Sequence, residues 1–147
     1  MPAHRESRIL PWTPEQLFDL VADVESYPKF LPWCLAARVR SRQGDELVAD
    51  LVVGHRIWRE TFTSLVHLER PARIQVRYGG GPLSHLHNAW SFEPAPTPDG
   101  ASGCRLGMEL DIDMASPLLR RALGMVFDPA VARIVTAFEA RAQRLYP

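Results

Sequence analysis

Between Cys104 and Met114 every second residue is apolar: Cys104, Leu106, Met108, Leu110, Ile112 and Met114, with Arg105, Glu109, Asp111 and Asp113 among the alternate positions. Successive side chains of a strand point to opposite faces, so this run predicts a long strand with one apolar and one wet face. The same period of two recurs upstream. Leu47, Ala49, Leu51 and Val53 share a face, as do Trp58, Phe62, Val66 and Leu68, with Glu60 and Ser64 interleaved. Ile74, Val76 and Tyr78 follow, then Leu86, Asn88, Trp90 and Phe92. Such repetition predicts an antiparallel sheet, solvated on one side and needing a cover on the other.

A C-terminal helix supplies that cover. Ser116-Pro117 pairs a hydroxyl cap with a first-turn proline. Beyond it Leu119, Leu123, Val126, Ala130, Ile134, Phe138, Ala142 and Leu145 form one stripe at helical spacing. Unbroken from Leu118 to Tyr146, about 30 residues would run some 45 Å, too long for a domain of this size. Pro129 therefore predicts a kink.

At the other end, His4 to Leu10 predicts a first strand closed by Pro11. Thr13-Pro14-Glu15-Gln16 has the form of a capping box with proline at the first helical position. Leu17, Phe18, Leu20, Val21 and Val24 follow at helical spacing, and the helix is expected to stop near Tyr27-Pro28. Phe30 to Cys34, interrupted by Pro32, reads as a second helical turn or tight loop. Pro94 to Gly100 reads as a hairpin loop. The expected whole is one α+β domain over residues 1–147. Its curved antiparallel sheet of about seven strands surrounds the long kinked helix, with two short helices after the first strand.

Composition narrows the class. The 46% hydrophobic and 23% charged fractions of the 147 residues are those of a globular protein. Formal net charge is zero, with Lys29 the only lysine, which counts against a broad phosphate-tracking surface. Met1 to Trp12 carries charges and no apolar stretch, so neither a secretory signal nor a membrane span is expected. Cys34 and Cys104 match no metal spacing and read as buried thiols in a reducing cytoplasm.

The segment Asp23-Val24-Glu25-Ser26-Tyr27-Pro28-Lys29-Phe30-Leu31-Pro32-Trp33-Cys34 resembles the signature of the coenzyme-Q-binding START-like family. Phe62-Thr63-Ser64, Gly81-Pro82 followed by Leu86 and Trp90-Ser91-Phe92, and Ala137-Phe138-Glu139-Ala140-Arg141-Ala142 agree in the same order across nearly the whole chain. The sequence departs from the family at Leu83, where phenylalanine usually follows the Gly-Pro pair. The resemblance implies a helix-grip fold, binding of ubiquinone or a related isoprenoid, and a part in respiration. The same family includes ribosome-association toxins that block subunit joining, so it equally implies a ribosome partner.

A lipid ligand suits the residues on energetic grounds. At about 0.8 kcal/mol per buried CH₂, an isoprene unit contributes roughly 3–4 kcal/mol gross, and about three units would bind tightly with few polar contacts. The expected cavity takes Phe62, Ser64, Leu86, Asn88, Trp90, Phe92, Leu106, Met108 and Leu110 from the sheet and Val126, Ala130 and Ile134 from the helix. Ser64 and Asn88 are the expected head-group donors. Tyr27, Phe30, Leu31 and Trp33 form either the cavity lip, touching a membrane surface, or a packing plug.

Other features carry less chemistry. His85 and His87 share the outer face without an evident acidic partner, and His55 and His67 are isolated, so no metal is expected. Gly79-Gly80-Gly81-Pro82 lacks the ending of a phosphate loop and reads as a flexible turn at the cavity mouth. Glu60 and Asp50 have the chemistry of a base but no nucleophile or second acid beside them, so no catalysis is expected. Arg38, Arg40 and Arg42 alternate as a solvated strand face that would meet RNA phosphates in a ribosome binder or anionic lipid heads in a carrier. The sequence therefore points to a cytoplasmic, non-enzymatic ubiquinone carrier visiting the membrane surface. A ribosome-binding inhibitor is the alternative, and a cyclase-like enzyme the third class.

Overall fold

The computed structural model describes residues 3–31, 33–55, 58–118, 120–121 and 131–147. Seven strands make one antiparallel sheet: β1 (Ala3–Leu10), β2 (Cys34–Gln43), β3 (Glu46–His55), β4 (Trp58–Glu69), β5 (Arg73–Gly80), β6 (Leu83–Pro96) and β7 (Ser102–Met114). Their order is β1-β7-β6-β5-β4-β3-β2, a meander from β2 to β7 completed by the first strand pairing with the last. The predicted apolar faces point inward wherever their side chains are described; the side chain of Trp58, expected on the β4 face, lies outside those described. Leu47, Phe62, Ile74, Trp90, Leu106 and Met108 are buried, and the register sets Ile74 beside Trp90 and Trp90 beside Met108.

The outer face is wet except at one corner. Asp113, expected in solvent, is 5% exposed, because the chain turns over it after β7. Its carboxylate accepts from the Met114 amide at 2.9 Å and from Arg120 Nε at 3.2 Å. Nearby His85 lies 3.3 Å from Asp111, and His67 lies 2.6 Å from Glu46, so both histidines have acidic neighbours on adjacent strands.

The arginine stripe is also corrected. A bulge between Val39 and Ser41 inserts Arg40, which meets Asp50 at 3.5 Å. An extra residue reverses the alternation, so Arg42 falls in register with inward-facing Leu47 while Arg38 pairs with outward Asp50. The three arginines do not share a face.

Helix α1 (Pro14–Ala22) carries the predicted capping box: the Gln16 amide donates to Thr13 Oγ1 and the Thr13 amide to Gln16 Oε1, each at 3.0 Å. It ends earlier than expected. Asp23 leaves helical geometry at ψ 71°, and its carbonyl accepts from the Ser26 amide at 3.1 Å, which starts a 3-10 helix over Val24–Lys29. The second short helix is therefore this one, with Pro28 inside it, not Phe30 to Cys34. The Asp23 carboxylate accepts from Ser26 Oγ at 2.6 Å, which holds this tighter turn in place before the proline is reached.

Helix α2 (Ile134–Leu145) packs Ile134, Val135, Phe138 and Ala142 inward. Leu145, predicted at the end of the stripe, is exposed, because Tyr146 leaves helical geometry and takes its place against the core. The Tyr146 carbonyl accepts from Trp12 Nε1 at 2.8 Å, tying α2 to the start of α1. A turn at Arg133 precedes α2, while the expected kink at Pro129 and stripe positions Leu119, Leu123, Val126 and Ala130 lie outside the described residues.

Candidate ligand cavity

Between α2 and the concave face of the sheet lies a cavity of about 190 Å³. Period-two alternation places its walls. β4 contributes Phe62 and Ser64, β6 contributes Leu86, Asn88 and Trp90, β7 contributes Met108 and Leu110, and α2 contributes Ile134. Leu31 and Trp33 approach from the segment before β2, and Tyr27 from the 3-10 helix. These eleven expected residues border one space.

Three others do not. Phe92 and Leu106 lie farther along the same strands, where Phe92 meets Phe18 of α1 edge-on at 5.6 Å and no space remains. Phe30 packs outside the cavity against Phe138, with ring centroids 5.0 Å apart, and under the Arg141 guanidinium at 5.5 Å. Val126 and Ala130 lie outside the described residues.

Phe138, absent from the expected site, is its hub. Tyr27, Phe30 and Trp90 all meet its ring edge-on at 5.0–5.4 Å. Its helical stripe position was visible, but spacing alone does not reveal that three aromatics converge on it. Cys34, Glu60, Val131 and Met114 also border the cavity unforeseen. Leu83, the departure from the family pattern, is buried at the wall, filling the place with an aliphatic group.

The four bulky residues of the signature therefore divide. Phe30 is a plug outside the cavity, while Tyr27 joins plug and wall. Tyr27 borders the cavity, meets Phe30 edge-on at 6.1 Å and donates its hydroxyl to the Val21 carbonyl, and burial pushes its acidity far down. Leu31 and Trp33 are wall. The large apolar residues that are exposed among those described are Ile9, Leu35, Leu118 and Leu145, so the signature forms no exposed aromatic edge.

The glycine turn is strapped rather than loose. Gly80 and Gly81 have φ near +136° and +137°, and a Cβ on Gly81 would lie 2.9 Å from Phe62 Cβ. The Tyr78 hydroxyl accepts from the Leu83 amide at 3.0 Å, and the Ala115 amide donates to the Pro82 carbonyl at 2.9 Å. The turn therefore holds the β4 wall in place.

Polar groups in the cavity are few. Asn88 donates to the Glu109 carbonyl at 2.7 Å and accepts from Trp90 Nε1 at 2.9 Å, so the expected head-group donor is engaged within the protein. Ser64, at 2% exposure, has a buried hydroxyl without a partner, and so has the Trp33 indole nitrogen. Burial pushes the Cys34 thiol up to about 11. Glu60 borders the cavity, whereas Asp50 faces outward and accepts from Thr63 at 2.6 Å. No cluster of three metal-ligating side chains occurs among the described residues.

The volume limits what fits. An apolar cavity of ~150 Å³ holds one benzene ring, and pockets for drug-sized ligands span ~300–1,000 Å³. At about 190 Å³ the space between the described walls is of the size that holds one ring.

A family model described as polyketide cyclase / dehydrase and lipid transport matches residues 10–139. The chain belongs to this family. Within it, the chain is 36% identical over 142 residues to the ribosome association toxin RatA of Pseudomonas aeruginosa, covering 97% of this chain and 96% of that one. It is 32% identical over 148 residues to the mitochondrial coenzyme Q-binding protein COQ10 homolog B of Xenopus laevis, covering 97% of this chain and 59% of that protein. A START superfamily protein of Mycobacterium smegmatis shares the fold, with a TM-score of 0.74 at 18% identity, covering 97% of this chain and 98% of that one. The family description spans enzymes and lipid carriers, so this chain's own cavity chemistry has to separate them. No described helix is long and apolar enough to cross a membrane.

Proposed function

We propose that the protein is a cytoplasmic carrier that holds the ring of ubiquinone or a related isoprenoid quinone beneath α2, without acting on it chemically. The observation that carries this reading is the cavity itself. Its walls are almost wholly apolar, and its one carboxylate is Glu60. The described lining residues include no second carboxylate, histidine or lysine to activate the Ser64 hydroxyl or the Cys34 thiol, which burial pushes up to about 11. General acid–base or covalent catalysis needs such a partner within hydrogen-bond reach. Burial of a ring and the first tail carbons needs none. The rest of the tail would extend past the described walls, and transient contact with a membrane surface would load and release it. The similarity to a coenzyme Q-binding relative supports the ligand class.

Mass spectrometry of an organic extract of the purified native protein tests this. The expected result is an isoprenoid quinone at up to one per chain. A protein that carries none and takes up no added short-chain ubiquinone is not a carrier.

A second reading rests on one specific observation, the near full-length similarity to a ribosome association toxin. On that reading the ribosome is the partner, and saturable cosedimentation with isolated ribosomal subunits is the expected result.

A further inference from the structure

Helix α2 is held along two flanks of opposite chemistry. On the side of the 3-10 helix, Tyr27 and Phe30 meet the Phe138 ring edge-on at 5.4 and 5.0 Å, and the Arg141 guanidinium lies over Phe30. Phe138 is 2% exposed, so parting this flank would wet a buried aromatic ring. On the side of β1 the contacts are polar. Arg8 donates to Glu139 Oε1 at 3.0 Å and to Thr136 Oγ1 at 2.9 Å. Its Nε donates to Glu6 at 2.6 Å, and His4 lies 3.1 Å from the same carboxylate. The Arg8 and Glu139 side chains are 30% and 43% exposed. Water replaces such bonds as they break, so this flank parts at little cost.

The polar flank also adjoins the cavity. His4 pairs with Leu110 and Glu6 with Met108 across the β1–β7 ladder, and both partners are cavity wall. Only β1, one strand spacing of about 4.8 Å, separates that wall from the sheet edge. From α2, Ile134 and Phe138 line the same space, each within a turn of Thr136 and Glu139.

We propose that the cavity's ligand enters and leaves through the seam between β1 and α2, with Arg8 as the clasp and the Phe138 cluster as the pivot. This rests on the reading that the cavity holds an apolar ligand. Opening the seam breaks the Arg8 bonds to α2 and keeps the aromatic contacts, so the helix stays docked while it moves. Arg8 is not among the described lining residues, so it sets how fast the ligand exchanges and not how tightly it is held.

Trp33 and Trp90 border the cavity, so stopped-flow quenching of tryptophan fluorescence by a short-chain ubiquinone, on the full-length protein, reads the exchange. Arg8→Met should raise the association and dissociation rates together by about 2- to 5-fold, the strength of an exposed ion pair, and leave Kd within about twofold. Glu139→Gln should do the same to a smaller degree. Raising salt from about 50 to about 500 mM should speed both rates in the wild type and not in Arg8→Met. A second arm ties the seam shut in a Cys34→Ala, Cys104→Ala background. A bis-maleimide link between Arg8→Cys and Glu139→Cys should slow exchange at least about tenfold. The same link between Lys29→Cys and Arg141→Cys, on the aromatic flank, should leave exchange within about twofold. Undiminished exchange with the β1 seam tied overturns the portal, as does equal slowing by both links. Unchanged rates in Arg8→Met and Glu139→Gln overturn the clasp and leave the β1 charges as guards of the sheet edge. A rise in dissociation alone makes Arg8 a ligand-holding residue and overturns it too. If the wild type binds no quinone, the cavity reading fails and takes this inference with it.

Discussion

Beneath α1, Leu17, Phe18 and Val21 sit on Phe92, Cys104 and Leu106, and all six are at most 2% exposed. At the other end of the same strands, beneath α2, Phe62 and Leu86 are each 8% exposed, and Leu110 and Ile112 are only partly buried. Both ends draw on β6 and β7, and both are built from alternating apolar side chains. The difference lies in what closes them. At one end a short helix lies directly on the strands and fills the space with leucine and phenylalanine. At the other, the Phe138 cluster props α2 above the sheet, and space remains. A solid core and a binding cavity can thus share one strand pattern.

If that contrast is real, truncation should separate the ends most. Phe92→Ala, in the filled end, is expected to lose about 3–5 kcal/mol of unfolding free energy. Leu110→Ala, on the cavity wall, should lose about 1 kcal/mol, because its side chain already borders space and removes little packing. Urea unfolding of both variants checks this, and equal losses would erase the distinction.

Enlargement should separate them in the opposite sense. Cys104→Leu overpacks the filled end and is expected to destabilise by about 1–3 kcal/mol. Ser64→Val adds volume into the cavity and removes an unpaired buried hydroxyl, so it should stabilise by about 1 kcal/mol while weakening quinone binding. A destabilised Ser64→Val would mean that the hydroxyl has a partner or that the wall has no room.

The two thiols give a smaller, shared effect. Cys34 borders the cavity and Cys104 the filled end, and burial pushes both from 9.0 up to about 11. A raised acid favours its protonated form in the fold, so this stability is complete below pH 9 and is lost as pH rises towards 11. Thermal unfolding of Cys34→Ala with Cys104→Ala should show a shallower alkaline decline than the wild type, and parallel curves would remove the thiols from the account.

Salt should matter least for a carrier. Burial of a ring and tail is non-electrostatic, so quinone affinity is expected to hold between about 50 and 200 mM salt, whereas six to ten phosphate contacts would lose roughly 10³–10⁵. Arg40 is matched to Asp50 and Arg42 lies on the other face, so only Arg38 of the predicted stripe keeps its expected free position. A saturable, salt-sensitive association with ribosomal subunits would make the second reading the first.

These two ends also show why the sequence disclosed the fold more fully than the site. Alternation is local, and it placed the inward faces of β3 to β7 and the capping box of α1. Whether an inward residue meets a helix or a gap is not local. Phe92 and Leu106 follow the same pattern as Leu86 and Leu110, and only the docking of α1 tells them apart. The bulge at Arg40 left no sequence signal, and it alone moved Arg42 to the other face. The inward face of β1 was hidden as well: Arg8 donates to Glu6, to Glu139 and to Thr136 of α2, a charged contact that alternation of apolar residues cannot reveal.

The most direct test of the central claim is methyl-resolved nuclear magnetic resonance during titration with a short-chain ubiquinone. The account predicts saturable shifts at Leu86, Leu110, Ile112 and Ile134, with Leu17, Val21 and Leu106 unmoved. Shifts confined to the α1 end, or no saturable shift anywhere, would contradict it.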